Sequence, residues 1–173
     1  AVSTGMDVGC GSGRWSVMVA PRVGHLHLLD ASADALNVAR ANLQAANNVT
    51  FHHASVGELP LPAASLDFAF SLGVLHHVPD TQAAIAEIST KLKPGAPFVA
   101  AHSSFPQGDG ERTRWLSRFA AFAVASGADP DKAESARTAV GTRLSLLSPA
   151  QDEAILREAG FSDVSLFYAA FTW

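Results

Sequence analysis

The chain has 173 residues, one domain's worth, and at that length folding buries about 70% of the surface the unfolded chain exposes. Apolar residues make up 48% and charged residues 16%, which excludes a disordered segment. Lys+Arg is 12 and Asp+Glu is 16, so the net charge is 12 − 16 = −4, which argues against a basic nucleic-acid footprint. The single cysteine, Cys10, excludes a disulfide scaffold, and no apolar run reaches the roughly 18 residues of a membrane span. No charged-then-apolar leader with a cleavage site opens the chain. The expectation is a soluble cytoplasmic α/β domain.

Apolar runs at residues 2–8, 26–30, 49–53, 66–72, 96–102 and 164–171 predict six strands. A helix is expected directly after the glycines at 9–13, and residues 32–47 predict another from their Ala- and Leu-rich helical spacing. Asp80 can cap a helix running to about Leu92, which Pro94-Gly95 stops. Residues 105–147 break the rhythm and read as two helices joined near Gly127-Ala128-Asp129-Pro130. Ser148-Pro149-Ala150-Gln151 is a capping box with proline at the first helical position. That helix should run to about Ala159, with Gly160 in the left-handed position beyond it. Strand–helix alternation predicts an α/β, Rossmann-like, doubly wound, mostly parallel sheet with helices on both faces. It reads as one domain over 1–173, with 105–147 a helical insertion.

The first strand ends in Asp7-Val8-Gly9-Cys10-Gly11-Ser12-Gly13. Glycines at alternate positions permit positive φ and let a ligand approach the backbone, and the helix behind them offers free N–H groups. A phosphate-binding P-loop is excluded because no lysine follows a glycine. A dinucleotide fingerprint needs glycine where Arg14 stands. The acid before the first glycine suits a ligand with a positive amino group rather than a pyrophosphate.

Met6-Asp7-Val8-Gly9-Cys10-Gly11-Ser12-Gly13 resembles the first motif of class I S-adenosylmethionine-dependent methyltransferases. The resemblance continues through Leu28-Leu29-Asp30, Glu58-Leu59-Pro60-Leu61-Pro62, Ser65-Leu66-Asp67, Val74-Leu75-His76-His77-Val78-Pro79-Asp80 and Leu92-Lys93-Pro94-Gly95. It covers residues 6–102 and is nearest to the small-molecule group that includes ubiquinone/menaquinone C-methyltransferases. Residues 147–161 resemble that group as well.

The resemblance implies S-adenosyl-L-methionine as cofactor, S-adenosyl-L-homocysteine as product and direct in-line methyl transfer to a small-molecule acceptor. It assigns Asp7 to the methionine amino group and Gly9, Cys10, Gly11 and Gly13 to the methionine and ribose portions. Asp30, with Ala31 beside it, is assigned to the ribose hydroxyls; its other reading is a helix N-cap. Ser55 and Val56 fall where the family often has Gly-Asp-Ala against adenine, so a hydroxyl replaces a carboxylate there. The backbone region of Ser71 should face the methionine end and the methyl donor from strand four. His76 and His102 are the candidate general bases, with packing beneath the cofactor the other reading of His76. No Cys, Asp or Glu cluster supports a metal site around the histidine pairs. Trp115, Phe119 and Phe122 share a helical face, as acceptor-pocket lining or as ordinary core.

Two other functions remain open at the level of sequence. Ala69-Phe70-Ser71-Leu72-Gly73 resembles a degenerate nucleophile elbow, with Asp80 and His102 following in hydrolase order. A cofactor-binding subunit without catalysis is the other. The resemblance also implies N-terminal covering helices and a seventh strand, so further residues at both ends, or a partner chain such as a second copy, are expected.

Overall fold

The structure, a computed structural model, describes residues 2–108 and 110–169. β1 (Thr4–Val8), β2 (His25–Asp30), β3 (Val49–His53), β4 (Phe68–Leu72) and β5 (Phe98–Ala101) form one parallel sheet in the order β3-β2-β1-β4-β5. The strand order reverses beside β1, and ligands of open parallel sheets sit at such a reversal, beyond the carboxyl ends.

Alternation along the central strands feeds two cores. Met6, Val8, Leu29 and Ala69 pack with Ile85 and Ile88 of α3 (Thr81–Lys91) and with half-buried Ile155 and Leu156 of α6 (Pro149–Glu158). Leu26, Leu28 and Phe70 pack with Leu36 and Ala39 of α2 (Ala33–Asn42) on the opposite face. A smaller cluster of Phe105, Leu116 and Leu146, with Trp115 and Val140 packed against it, joins α4 (Glu111–Ala125) and α5 (Pro130–Arg143). The caps follow the sequence: Asp80 Oδ1 accepts from Ala83 N at 2.9 Å, and Ser148 and Gln151 form the reciprocal box.

Several boundaries differ from expectation. β4 starts at Phe68, because Leu66 makes only an isolated bridge to Leu92 and Asp67 turns its carboxylate to Thr4 N at 2.8 Å and Lys93 Nζ at 2.7 Å. β5 starts after Pro97, which has no N–H to donate. The helix after the glycines is a single turn, α1 (Ser16–Val19), continued by a 3₁₀ turn over Ala20–Arg22 that contains Pro21. α2 stops at Asn42, whose Nδ2 donates to Ser12 O at 2.9 Å, and Leu43 then turns into the core.

The sixth expected strand does not form over residues 164–169. Alternating apolar residues supply a face, but a strand also needs an edge to pair with, and here Leu166, Phe167 and Tyr168 are exposed. Residues 170 and 171 of that expectation lie outside the described residues. Among the described residues no helix is long and apolar enough to cross a membrane.

Candidate functional site

The glycine loop wraps over the end of β2. Gly9 and Cys10 both donate their N–H groups to Leu29 O, at 2.8 and 2.9 Å, and Gly11 N donates to Asp30 Oδ2 at 2.8 Å. This path requires the left-handed conformation at Gly9, φ 81°, and a Cβ there would come within 2.4 Å of the Val74 side chain.

Above the loop lies a cavity of about 580 Å³ at the carboxyl edge of the sheet. Gly9, Cys10, Gly11, Asp30, Ala31, Ser55 and Val56, all expected at the cofactor, line it. Asp30 is not the N-cap of α2; Ser32 is, its Oγ accepting from Ala35 N at 3.2 Å. Asp30 Oδ1 accepts from Ser32 N at 2.8 Å and Oδ2 from Gly11 N, so each oxygen keeps acceptor capacity toward the cavity. Ser55 Oγ accepts from Gly57 N at 3.3 Å and retains its own proton to give. Burial, reinforced by Asp7 and Asp30, pushes the Cys10 thiol up to about 12 and leaves it a neutral packing group.

Four expected residues stand behind the wall instead of on it. Asp7 is 2% exposed, and its Oδ2 accepts from Ser16 Oγ at 2.6 Å, so it anchors α1 under the loop. Burial raises its carboxyl to about 7, against the Ser16 hydrogen bond and with help from Asp30. Gly13 packs against α2, where a Cβ would meet Leu43 Cδ1 at 3.0 Å and Ala39 Cβ at 3.2 Å. Ser71 is fully buried and donates to Val8 O at 2.9 Å; Leu72, Gly73 and Val74 form the wall where it was expected. His76 is buried and its Nδ1 accepts from Ser103 N at 3.2 Å. Burial, with His77 and His102 nearby, lowers it to about 4, and it lines neither cavity, whereas His77 lines the first.

These positions also dismantle the hydrolase arrangement. Ser71 has no access to a substrate, Asp80 caps α3, and His102 pairs with a different acid.

A second cavity, about 810 Å³, adjoins the first and shares Arg14, Trp15, Leu72 and Gly73 with it. Its wall is largely apolar, with Ala101, Phe105, Trp115, Leu156 and Phe167. Trp115 stacks on Phe105 at 6.3 Å between ring centroids, Phe119 is half-buried, and Phe122 is 51% exposed. The aromatic stripe therefore divides: one ring on the cavity, the others away from it.

His102, just past β5, lines this cavity, and its Nε2 lies 3.0 Å from Asp152 Oδ1. Asp152 was not foreseen. Its only local signal is an acid in the first turn after a capping box, a position the helix dipole favours anyway. Arg14 and Trp15 were missed as well; the Arg14 guanidinium sits 5.2 Å from the Trp15 ring centroid where the cavities meet. Among the described residues no three His, Cys, Asp or Glu are grouped to hold a metal ion.

Comparison with known proteins places this geometry in a family. Over 106 residues the chain is 35% identical to the demethylmenaquinone methyltransferase of Listeria welshimeri, covering 58% of this chain and 45% of that protein. Over 92 residues it is 35% identical to the ubiquinone biosynthesis O-methyltransferase of Aromatoleum aromaticum, covering 52% of this chain and 39% of that protein. The match thus spans about half or less of these curated relatives. The YcgJ protein of Bacillus subtilis superposes with a TM-score of 0.71 at 22% identity, covering 92% of this chain and 62% of that one. An N-methyltransferase 2 of Haemonchus contortus, in complex with phosphomonomethylethanolamine and S-adenosylhomocysteine, superposes at 0.69 and 22% identity, covering 94% of this chain and 34% of that one. These structural likenesses establish the class I methyltransferase fold. The model of the methyltransferase domain family matches residues 6–95, and the chain belongs to that family.

Proposed function

We propose that this chain carries out S-adenosylmethionine-dependent methyl transfer to a small, mostly apolar acceptor. The observation that carries the reading is the pair of adjoining cavities at the carboxyl edge, one bordered by the glycine loop and Asp30, the other apolar, joined at Arg14, Trp15, Leu72 and Gly73. The first fits the cofactor's chemistry. Asp30 has acceptor capacity left for two adjacent hydroxyls, the glycine loop offers backbone without side chains, and Ala31, Ser55 and Val56 give a flank for a flat ring.

When bound, S-adenosylmethionine supplies a methyl group already activated on a sulfonium. The chain's own contribution is position. Asp30 and the loop hold the ligand against the β1 and β2 ends, and the shared wall sets the two cavities end to end. Fixing two reactants in line removes several kcal/mol or more from the barrier. Apolar side chains such as Phe105 and Leu156 exclude water from the acceptor side. The names of the relatives put demethylmenaquinone and intermediates of ubiquinone biosynthesis at the head of the list of acceptors to try. The cytoplasm is the compartment this reading assumes, with Cys10 kept as a buried free thiol.

The test is calorimetry with S-adenosylmethionine, S-adenosylhomocysteine and NADH, followed by an acceptor screen with methyl-labelled cofactor. Binding of the first two without NADH, and label transferred to an acceptor, are expected. Binding of NADH alone would overturn the reading. Cofactor binding with no transfer to any acceptor would favour a binding subunit.

A further inference from the structure

Among the described residues Arg14 is the one lysine or arginine on the wall of either cavity, and it stands on both. Its side chain is exposed there. No carboxylate answers it. Among the described residues its guanidinium makes no ion pair and no hydrogen bond, and its contact is the Trp15 ring, 5.2 Å away at the centroid. The acids on the two walls are engaged elsewhere. Asp30 accepts from Gly11 N and Ser32 N at 2.8 Å, Asp152 Oδ1 lies 3.0 Å from His102 Nε2, and Glu153 Oε2 accepts from Arg157 at 2.9 Å.

The place of this cation matters because of what must stand beside it. In the methyl-transfer reading the donor's sulfonium lies where the cavities meet, and Arg14 shares that junction with Trp15, Leu72 and Gly73, which bring no charge. A guanidinium and a sulfonium side by side repel, and a largely apolar wall screens that repulsion less than water does. A ligand anion between them removes the cost. The guanidinium is suited to hold one, because its planar fork matches a carboxylate with two parallel hydrogen bonds. The Trp15 indole gives that plane a surface to rest on.

We propose that Arg14 selects the acceptor: the second cavity takes an apolar molecule that carries a carboxylate close to the atom receiving the methyl group, and Arg14 pairs with that carboxylate. This rests on the methyl-transfer reading of the two cavities and adds a fixed negative charge to the mostly apolar acceptor. The apolar body lies against Phe105, Trp115 and Leu156, with the carboxylate at the Arg14 end. Arg14 determines specificity in this scheme and takes no part in bond making or breaking. A neutral acceptor of the same shape leaves the guanidinium desolvated and unpaired, so the pocket discriminates against it. S-Adenosylmethionine has a carboxylate of its own, and the experiment separates the two sources.

Calorimetry on the whole chain, ligand-free and saturated with S-adenosylhomocysteine, tests this with 6-hydroxy-2-naphthoate and its primary amide, which share a ring system and differ in charge. The wild type should bind the acid about tenfold or more tighter than the amide. Arg14→Gln should bring the two to equal affinity by weakening the acid alone. Arg14→Lys, which keeps the charge and loses the fork, should fall between. Arg14→Gln should also change the affinities for S-adenosylhomocysteine and for 5′-methylthioadenosine, which lacks the amino-acid part, by the same factor. A wild type that binds acid and amide equally, or binds no acid, overturns the proposal even if the variants fail to fold. Loss of S-adenosylhomocysteine binding in Arg14→Gln with 5′-methylthioadenosine binding kept assigns the guanidinium to the cofactor's carboxylate and overturns it as well. A wild-type chain that binds no S-adenosylhomocysteine sinks the methyl-transfer reading and the acceptor with it. Binding of S-adenosylhomocysteine without a preference for the acid sinks the acceptor proposal alone.

Discussion

Asp30 Oδ2 accepts the backbone N–H of Gly11 across 2.8 Å, and this one bond couples the glycine loop to the end of β2. The carboxylate is thereby both part of the cavity wall and part of the loop's support. Its second oxygen, bonded to Ser32 N at 2.8 Å, ties the same side chain to the start of α2.

Asp30→Ala should therefore weaken cofactor binding by about 1–3 kcal/mol, the cost of losing hydrogen bonds to a charged group. Asp30→Asn, which keeps one acceptor, should fall between. Calorimetry with S-adenosylhomocysteine measures both. An Asp30→Ala variant that binds as tightly as wild type would remove the carboxylate from the site. At 100 times its dissociation constant the ligand should add about 2.7 kcal/mol to the wild-type fold and visibly less to the variant at the same concentration.

Much of this site was legible in the sequence because it is local. The Gly9–Gly11 spacing and Asp30 at the end of an apolar run are read within one strand and one turn. The burial of the Ser71 and Asp7 side chains was not legible for a related reason. A motif names which residues stand near a ligand, but side chains alternate along a strand, and these two point beneath the loop, to Val8 O and Ser16 Oγ. The pairing of His102 with Asp152 joins residues 50 apart in sequence through the docking of α6 beside β5, and no local pattern encodes it. Residues 164–171 show the same limit: alternation was visible, and the absence of a partner edge over 164–169 was not.

Ser55 stands on the cavity wall with its hydroxyl exposed, and its hydrogen bond from Gly57 N is long at 3.3 Å. Ser55→Asp places a stronger acceptor at the same point. Affinity for S-adenosylhomocysteine should be unchanged or tighter. A folded Ser55→Asp variant with clearly weaker binding would show that the adenine end lies elsewhere along the cavity.

The buried titratable groups predict a stability maximum near neutral pH. Asp7 is raised from 3.8 to about 7 by burial, so the fold favours its protonated form. That contribution is complete below 3.8 and is lost as pH rises through 7. His76 and His27 are lowered from 6.5 to about 4, chiefly by burial, so the fold favours their neutral forms. Their contribution is complete above 6.5 and is lost as pH falls through 4. His52 is lowered as well, by burial and then by His25, so three histidines stand against one acid and stability should rise from about pH 4 to about 6.5 and then decline toward 7. Asp7→Asn should abolish the decline and steepen the rise on the acid side, because the opposing carboxyl is gone. Urea midpoints across this pH range measure it, and a wild-type curve that keeps rising through pH 7 would contradict the Asp7 assignment.

The two glycines at the mouth of the loop should respond differently to a methyl group. Gly9 has φ 81° and Gly11 φ 53°, so alanine at either carries the left-handed penalty of about 1–2 kcal/mol. At Gly11 nothing lies within 4 Å of the added Cβ, so the penalty should be the whole effect on stability, a fall of a few degrees in Tm. At Gly9 the Cβ would sit 2.4 Å from both Cγ atoms of Val74, which lines the cofactor cavity. Val74 must then move, and the wall moves with it. Gly9→Ala should lose more stability than Gly11→Ala and should also lose cofactor affinity through the displaced valine. Trimming the obstacle in Gly9→Ala/Val74→Ala should recover part of the binding, because the clash is with a side chain and not with backbone. Thermal unfolding with and without S-adenosylhomocysteine separates the two losses; equal ligand-induced shifts in Gly9→Ala and wild type would mean that the wall tolerates the methyl group and that Val74 does not shape the site.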